Sequence, residues 1–71
     1  MQSTDLHELA DLDLIGRWVA IDPRGGNGLK ALPSGAVLVD FDAELDELCL
    51  RVAAAGRRSL DIFLCNRRGV A

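Results

Sequence analysis

The sequence predicts an α+β fold: a small three-stranded sheet of β-β-α-β order with one covering helix, preceded by a short N-terminal helix. Three runs rich in apolar, β-branched or aromatic residues favour strands. They are residues 16–22 (GRWVAID), 35–42 (GAVLVDFD) and 60–65 (LDIFLC). Between the second and third runs lies a segment with the start and stop signals of a helix, residues 42–56. This order of elements defines a ββαβ domain at residues 16–66.

The first residues, 1–15, are predicted to form an acidic N-terminal helix or arm. They contain Asp and Glu residues but no Lys or Arg, in a chain whose net charge is −3. Ser3 or Thr4 can cap a helix over residues 3–15, and Gly16 can end it. A disordered acidic tail is the alternative, because a helix this short is marginal without tertiary packing.

The helix predicted at residues 42–56 has a signal at each end. Asp42 is placed to cap its first free N–H groups, and Gly56 can adopt the left-handed conformation that ends helices. An apolar stripe with helical spacing predicts that one side of the helix packs on the sheet. The stripe consists of Leu45, Leu48, Cys49 and Val52.

The predicted strands carry apolar residues on both faces. Strict alternation places Val37, Val39 and Phe41 on one face of the second strand. The second and third strands flank a helix, so we expect them to be parallel with a right-handed crossover, while the first strand adds antiparallel through the loop at residues 23–35. One helix covers only one face, so the other needs the N-terminal helix, a second copy of the chain or a different partner. The candidate partner-binding residues are Trp18, Val39, Phe41 and Phe63.

Composition narrows the class of protein. The chain has 71 residues, 49% of them hydrophobic, and a mean hydropathy of +0.16, which exceeds that of disordered segments. No apolar run is long enough to span a membrane, and the N-terminus lacks the basic and apolar regions of a signal peptide. We therefore expect a soluble, cytoplasmic protein. Its arginines near the C-terminus are interpreted as a solvated rim and not as a nucleic-acid site. They are Arg57, Arg58, Arg67 and Arg68, the last two in a short basic tail at residues 67–71.

The loop at residues 23–35 contains a pattern that is typical of dinucleotide-binding proteins. Gly26, Gly28 and Ala31 fit G-x-G-x-x-A after an apolar strand. That fingerprint requires a helix directly after the glycines, and Pro33 and Ser34 leave no room for one. We interpret the segment as a hairpin loop and predict no cofactor.

The run VLVDFD resembles the first motif of haloacid-dehalogenase-type phosphatases, in which two aspartates separated by one residue end a buried strand. The resemblance would make Asp40 the nucleophile and Asp42 the acid and base beside a magnesium ion. The other residues of that family's site have no room in the 29 residues that follow. We interpret Asp42 as a helix cap and Asp40 as a strand-end residue, so neither is predicted to be catalytic.

The remaining reactive side chains do not form a recognisable site. Cys49 lies on the helix stripe and Cys65 in an apolar strand, so both are predicted to be buried and reduced, although a disulfide between helix and strand is possible. There is no CxxC motif, and His7 is the only histidine, so no metal site is predicted. Without a nucleophile and base pair, the chain is predicted not to be an enzyme.

From GRWVAID onward the chain resembles a family of short prokaryotic domains of uncharacterised function that open with a G-[K/R]-W-V-A strand. The acidic, leucine-rich helix and the strand LDIFLC follow in the order of that family, and the match covers about 50 of 71 residues. The loop is longer here than the tight hairpin of those domains. The resemblance implies a fold and no active site.

Two functions from different classes remain as expectations. The first is a non-enzymatic protein–protein interaction module that forms a homodimer, or binds one protein partner, through a sheet face or edge, with Trp18 as its anchor. The alternative is an antitoxin-like or inhibitor-like regulatory protein that binds a basic target through its acidic N-terminal arm.

Overall fold

A computed structural model describes residues 3–66 of the chain, and the predicted basic tail lies outside this range. Residues 3–66 form two helices and a four-stranded antiparallel sheet, which confirms the α+β class. The elements in chain order are helix α1 (Ser3–Asp11), strands β1 (Trp18–Asp22), β2 (Lys30–Ala31) and β3 (Val37–Asp42), helix α2 (Leu45–Ala54) and strand β4 (Asp61–Leu64).

The strand order in the sheet is β2-β3-β1-β4. β1 is antiparallel to both β3 and β4, so β3 and β4 run in the same direction, as predicted, but β1 lies between them. The sequence predicts three strands, whereas residues 3–66 form four, and the additional strand is β2. β2 has two residues, and it forms because the loop folds back on β3, where Leu32 N–H donates to the Ala36 carbonyl across a turn.

A β-bulge interrupts the pairing of β1 with β3. Ala20 lies opposite Asp40 and Ile21 lies opposite Leu38, so Val39 is the extra residue of β3. A bulge breaks the alternation of side chains between the two faces of a strand. The prediction that Val37, Val39 and Phe41 share one face was wrong for this reason.

The two faces of the sheet have separate apolar cores. On one face, Leu48 and Val52 of α2 are buried against Ala20 of β1. On the other face, Leu9 of α1 and Leu32 of the loop are buried in one cluster with residues of the central strands. The N-terminal helix and the loop therefore provide the second cover that the apolar strands require.

Helix α1 ends at Asp11, earlier than predicted, in a reversal centred on Asp13. Asp13 has φ of 62°, its N–H donates to the Ala10 carbonyl, and the Leu14 N–H donates to the Leu9 carbonyl. This is the Schellman pattern, in which the residues at the two ends of the longer bond also make an apolar contact. Leu9 and Leu14 are both buried in the same cluster.

A buried carboxylate holds α1 to the loop before β3. Asp5 is only 2% exposed, and its side chain accepts the Ser34 N–H at 2.9 Å and a short hydrogen bond from the Ser34 hydroxyl. Lys30 and Glu8 form a longer ion pair, at 3.6 Å, between β2 and the same helix. The acidic N-terminal segment is thus a structural part of the domain.

Helix α2 starts later than predicted and ends at the predicted stop. Its N-cap is Glu44 and not Asp42, and the Asp42 carboxylate accepts the Glu44 N–H at 2.8 Å just before the helix. Gly56 has φ of 72° and its N–H donates to Ala53, while Arg57 N–H donates to Val52, which confirms the predicted stop. Cys49 is exposed, so its predicted burial on the helix stripe was wrong.

Candidate functional site: the outer edge of strand β4

The edges of this sheet differ in how they are protected. β2 forms one edge but has only two residues, one of them Lys30, and Pro33 follows it closely. Short length, lysine and proline are devices by which natural sheets prevent an edge from pairing with another chain. The β2 edge is therefore a poor docking surface.

The part of β3 that extends beyond β2 is blocked by side chains. The Phe41 N–H donates to Asp40 Oδ1 at 2.7 Å, and the Phe41 carbonyl accepts from Arg51 Nη2 at 2.9 Å. Arg51 also donates to Asp40 Oδ2 from Nε at 2.9 Å and to Asp42 Oδ2 from Nη1 at 2.7 Å. These groups occupy the hydrogen-bonding positions that an additional strand would need.

The same contacts explain the electrostatics of the two aspartates. Arg51 lowers the pKa of Asp40, and the Glu44 N–H together with Arg51 lowers the pKa of Asp42. In return, the two carboxylates raise the pKa of Arg51. The arrangement is a helix-to-sheet clamp, in which both aspartates of VLVDFD are paired with Arg51.

Strand β4 forms the opposite edge and pairs only with β1 among residues 3–66. The Cys65 N–H donates to the Arg17 carbonyl at 2.9 Å and the Cys65 carbonyl accepts from Gly16 at 2.8 Å, so Cys65 directs both backbone groups inward. Backbone groups alternate in direction along an antiparallel strand. Phe63 therefore bonds towards β1, whereas the N–H and carbonyl groups of Ile62 and Leu64 point away from the sheet.

The side chains at this edge are apolar and incompletely covered. Helix α2 packs over β3 and β1, which leaves β4 at the margin of the helix-covered face. The apolar cluster under α2, called the α2 cluster, consists of Ala20, Leu48 and Val52. Ile62 packs against it but is only half-buried, and Leu64 is 41% exposed. An edge with free backbone groups and exposed apolar side chains is a template for pairing with another strand.

The candidate residues predicted from the sequence lie on different faces. Trp18 and Val39 are half-buried against the α2 cluster, while Phe63 packs against the cluster on the α1 face. Phe41 is 36% exposed and lies opposite Val19, a residue of the α1-face cluster. Ile62 and Leu64 are not among the residues predicted from the sequence, because their place at an edge of the sheet depends on the strand order.

A second charged cluster lies at the far end of the sheet. Asp22 is buried and accepts hydrogen bonds from the Arg24 backbone at 3.0 Å and from Arg24 Nε at 3.1 Å. Arg57 Nη2 reaches the same carboxylate at 3.3 Å and its Nη1 donates to the Asn27 carbonyl. Arg24 lowers the pKa of Asp22. Two of the basic groups at this end are therefore occupied by a carboxylate, and the cluster fixes the loop to the end of α2.

Other possible chemistry is sparse within the described range. No group of three or more His, Cys, Asp or Glu residues in 3–66 is arranged to hold a metal ion. Cys49 and Cys65 are separate thiols, and burial raises the pKa of Cys65. The glycine-rich loop leads into strand β2 and not into a helix, so it lacks the helix N-terminus that a dinucleotide fingerprint requires. No helix among residues 3–66 has the length and hydropathy to cross a membrane.

Comparisons with known proteins add no functional assignment to this geometry. No protein-family model matches the chain, and no curated protein or solved structure is detectably similar to it. The resemblance to G-[K/R]-W-V-A domains stays a prediction.

Proposed function

We propose that this chain is a non-enzymatic protein–protein interaction module that binds an extended strand of its partner at the outer edge of β4. The observation that carries the proposal is the outward direction of the Ile62 and Leu64 backbone groups, inferred from the inward hydrogen bonds of Cys65. Strand addition uses such backbone groups for affinity and the neighbouring side chains for specificity.

The contrast between edges supports the choice of β4. At β3 the Phe41 N–H and carbonyl are occupied by Asp40 and Arg51, and β2 is short and flanked by a proline. β4 instead presents Ile62 and Leu64, whose outward backbone groups pair with no other strand among residues 3–66, and Asp61 is the only charged residue of β4. Because the β2–β3 edge is blocked, pairing with another strand is directed to the β4 edge.

The regulatory alternative has less support from the described contacts. Asp5 is buried on Ser34, and Glu8 faces Lys30, so these two acidic side chains of the arm contact the domain itself. A basic target would have to bind mainly to Asp11 and Asp13. The two free thiols fit the cytoplasmic location that we propose, because reducing compartments keep cysteines unpaired.

Site-specific photo-crosslinking in the organism that encodes the protein tests the proposal. A benzophenone amino acid replaces Leu64, and in a matched control it replaces Leu50, which is 66% exposed on α2. We expect a discrete crosslinked adduct from position 64 and none from position 50, although Leu50 is the more exposed leucine. No adduct at position 64, or an adduct at position 50 alone, would overturn the proposal.

A further inference from the structure

We infer that the occupant of the β4 edge is a second copy of this chain, paired antiparallel across a two-fold axis at Phe63. This inference rests on the proposed function, since it names the partner at the same edge. Its product is a continuous eight-stranded sheet made from two four-stranded sheets. Two-fold pairing uses the same surface of both copies, so the edge must complement itself.

The backbone satisfies that requirement in this register. An axis at Phe63 places Ile62 opposite Leu64 of the second copy, and both residues direct their N–H and carbonyl groups outward. Two opposite residues whose N–H and carbonyl groups point towards each other's strand exchange both backbone hydrogen bonds. The Phe63 pair on the axis bonds inward to each copy's own β1, so Phe63 meets its copy as a non-hydrogen-bonded pair.

The side chains are also complementary in this register. Ile62 and Leu64 lie on the α2 face at the margin left by the helix, so each pair covers exposed apolar surface of the other copy. Cross-strand apolar pairs stabilise a sheet, whereas like charges directly opposite each other destabilise it. In this register, Asp61 does not lie opposite Asp61 of the second copy. It lies opposite Cys65 of the second copy instead.

Charge favours the same alignment. Arg17 and Asp61 form no salt bridge within residues 3–66. Arg17 is joined to Cys65 through the Cys65 N–H, so pairing Asp61 with Cys65 of the other copy brings it two strands away from Arg17. Two strand spacings are about 10 Å between Cα atoms, a span that an arginine and an aspartate side chain bridge together. Moving the axis by one residue to Ile62 would place Asp61 beside the Phe63 ring instead.

Disulfide trapping of the full chain tests the register. Phe63→Cys in a Cys49→Ser background should form a disulfide-linked dimer of about 15 kDa, twice the 7.6 kDa chain. Cα atoms of a non-hydrogen-bonded pair are about 4.5 Å apart, within the range for a disulfide. The matched variant Leu64→Cys should not crosslink, because residue 64 faces residue 62. A dimer from Leu64→Cys alone would overturn the register.

Amide hydrogen exchange on the wild-type protein tests the same inference without changing Phe63. We expect the Ile62 and Leu64 amides to exchange freely in the dilute monomer and to slow at least tenfold at concentrations where the dimer forms. The Phe63 amide should be protected in both states. Exchange at Ile62 and Leu64 that does not respond to concentration would contradict the inference.

The oligomeric state separates this inference from the proposed function. Light scattering should show a dimer in the wild type and in Leu50→Lys, and a dissociation constant raised at least tenfold in Leu64→Lys. A purified protein that stays at 7.6 kDa up to millimolar concentration would overturn the second copy as occupant. If position 64 still crosslinks to a different protein in cells, the proposed function stands and only this inference fails.

Discussion

Gly28, which has no side chain, allows the loop to lie close against β3. A Cβ on Gly28 would come within 2.7 Å of both the Leu38 carbonyl oxygen and the Val37 Cγ2 atom. The close approach allows the Leu29 N–H to donate to the Leu38 carbonyl at 2.7 Å. Gly28 is therefore required for the loop to pack against β3.

The first prediction concerns this contact. Gly28→Ala should lower the free energy of unfolding by about 1–3 kcal/mol, the usual cost of overpacking a fixed backbone. Gly26→Ala is the matched control, because a Cβ at Gly26 meets nothing within 4 Å and the cost there comes only from its φ of 96°. Urea denaturation measures both. A Gly28→Ala protein as stable as wild type would contradict the close approach.

A second residue-scale prediction concerns the end of α1. Asp13 adopts a left-handed conformation in which a Cβ is disfavoured by about 1 kcal/mol, although aspartate tolerates it better than most residues. Asp13→Gly should raise the free energy of unfolding, and Asp13→Ala should lower it, with a difference of about 1 kcal/mol between the two variants. Thermal melts followed by circular dichroism measure this difference. Equal melting temperatures would show that the reversal does not depend on the conformation of residue 13.

At the scale of elements, the Arg51 clamp joins α2 to β3 and makes stability depend on pH. Folding lowers the pKa of Asp40 and Asp42 below their ordinary values near 4. A group with a lowered pKa in the folded state stabilises the protein above its unfolded pKa, and this contribution is lost as the pH falls through the folded value. The stabilisation is therefore complete at neutral pH and declines below about pH 4.

The third prediction concerns the loss of stability at acid pH that follows from the lowered pKa values of Asp40 and Asp42. Arg51→Gln should flatten the loss of stability between about pH 4 and pH 2, because the variant no longer lowers either pKa through the guanidinium. Urea titrations at several pH values give the slope, and Arg58→Gln, an exposed arginine with no carboxylate partner within residues 3–66, is the control. An unchanged acid slope in Arg51→Gln would mean that the clamp is not formed in solution.

Elements differ in how well their sequences predict them. Gly56 and the spacing of Leu48 and Val52 identify the end and the buried side of α2, because these signals act within one helix. The start of α2 was misplaced because the Asp42 carboxylate is shared between the Glu44 N–H and Arg51. Cys49 was misassigned because the contact with the sheet is narrower than the apolar stripe.

The parts of the sheet that depend on distant residues could not be predicted. The bulge at Val39 leaves no mark on the alternation of apolar residues, and β2 forms only because the loop returns to β3. The sequence LDIFLC predicts which residues of β4 alternate between the two faces. The position of β4 at the edge of the sheet follows from β1 lying between β3 and β4. The candidate site therefore required the structure, although it uses residues from a predicted strand.

At the scale of the whole molecule, α1 and the loop act as a cover for one face of the sheet. The Asp5 carboxylate and Ser34 join the two parts, and Cys65 is 1% exposed in the cluster that they cover. Hydrogen bonds to a charged group contribute about 2 kcal/mol, and removing one partner leaves a polar group unsatisfied. We therefore expect that weakening the attachment of α1 exposes the cluster that contains Cys65.

The last prediction measures that attachment through the two cysteines. Cys49 is exposed and should react with a thiol reagent at once, whereas Cys65 should react only when the cover opens. Asp5→Ala should accelerate labelling of Cys65 about thirtyfold, the factor that corresponds to about 2 kcal/mol, and leave Cys49 unchanged. Asp11→Ala, an exposed acid on the same helix, is the control for lost charge. If Asp11→Ala accelerates Cys65 as much as Asp5→Ala does, the effect comes from the charge of the arm and not from the bond to Ser34.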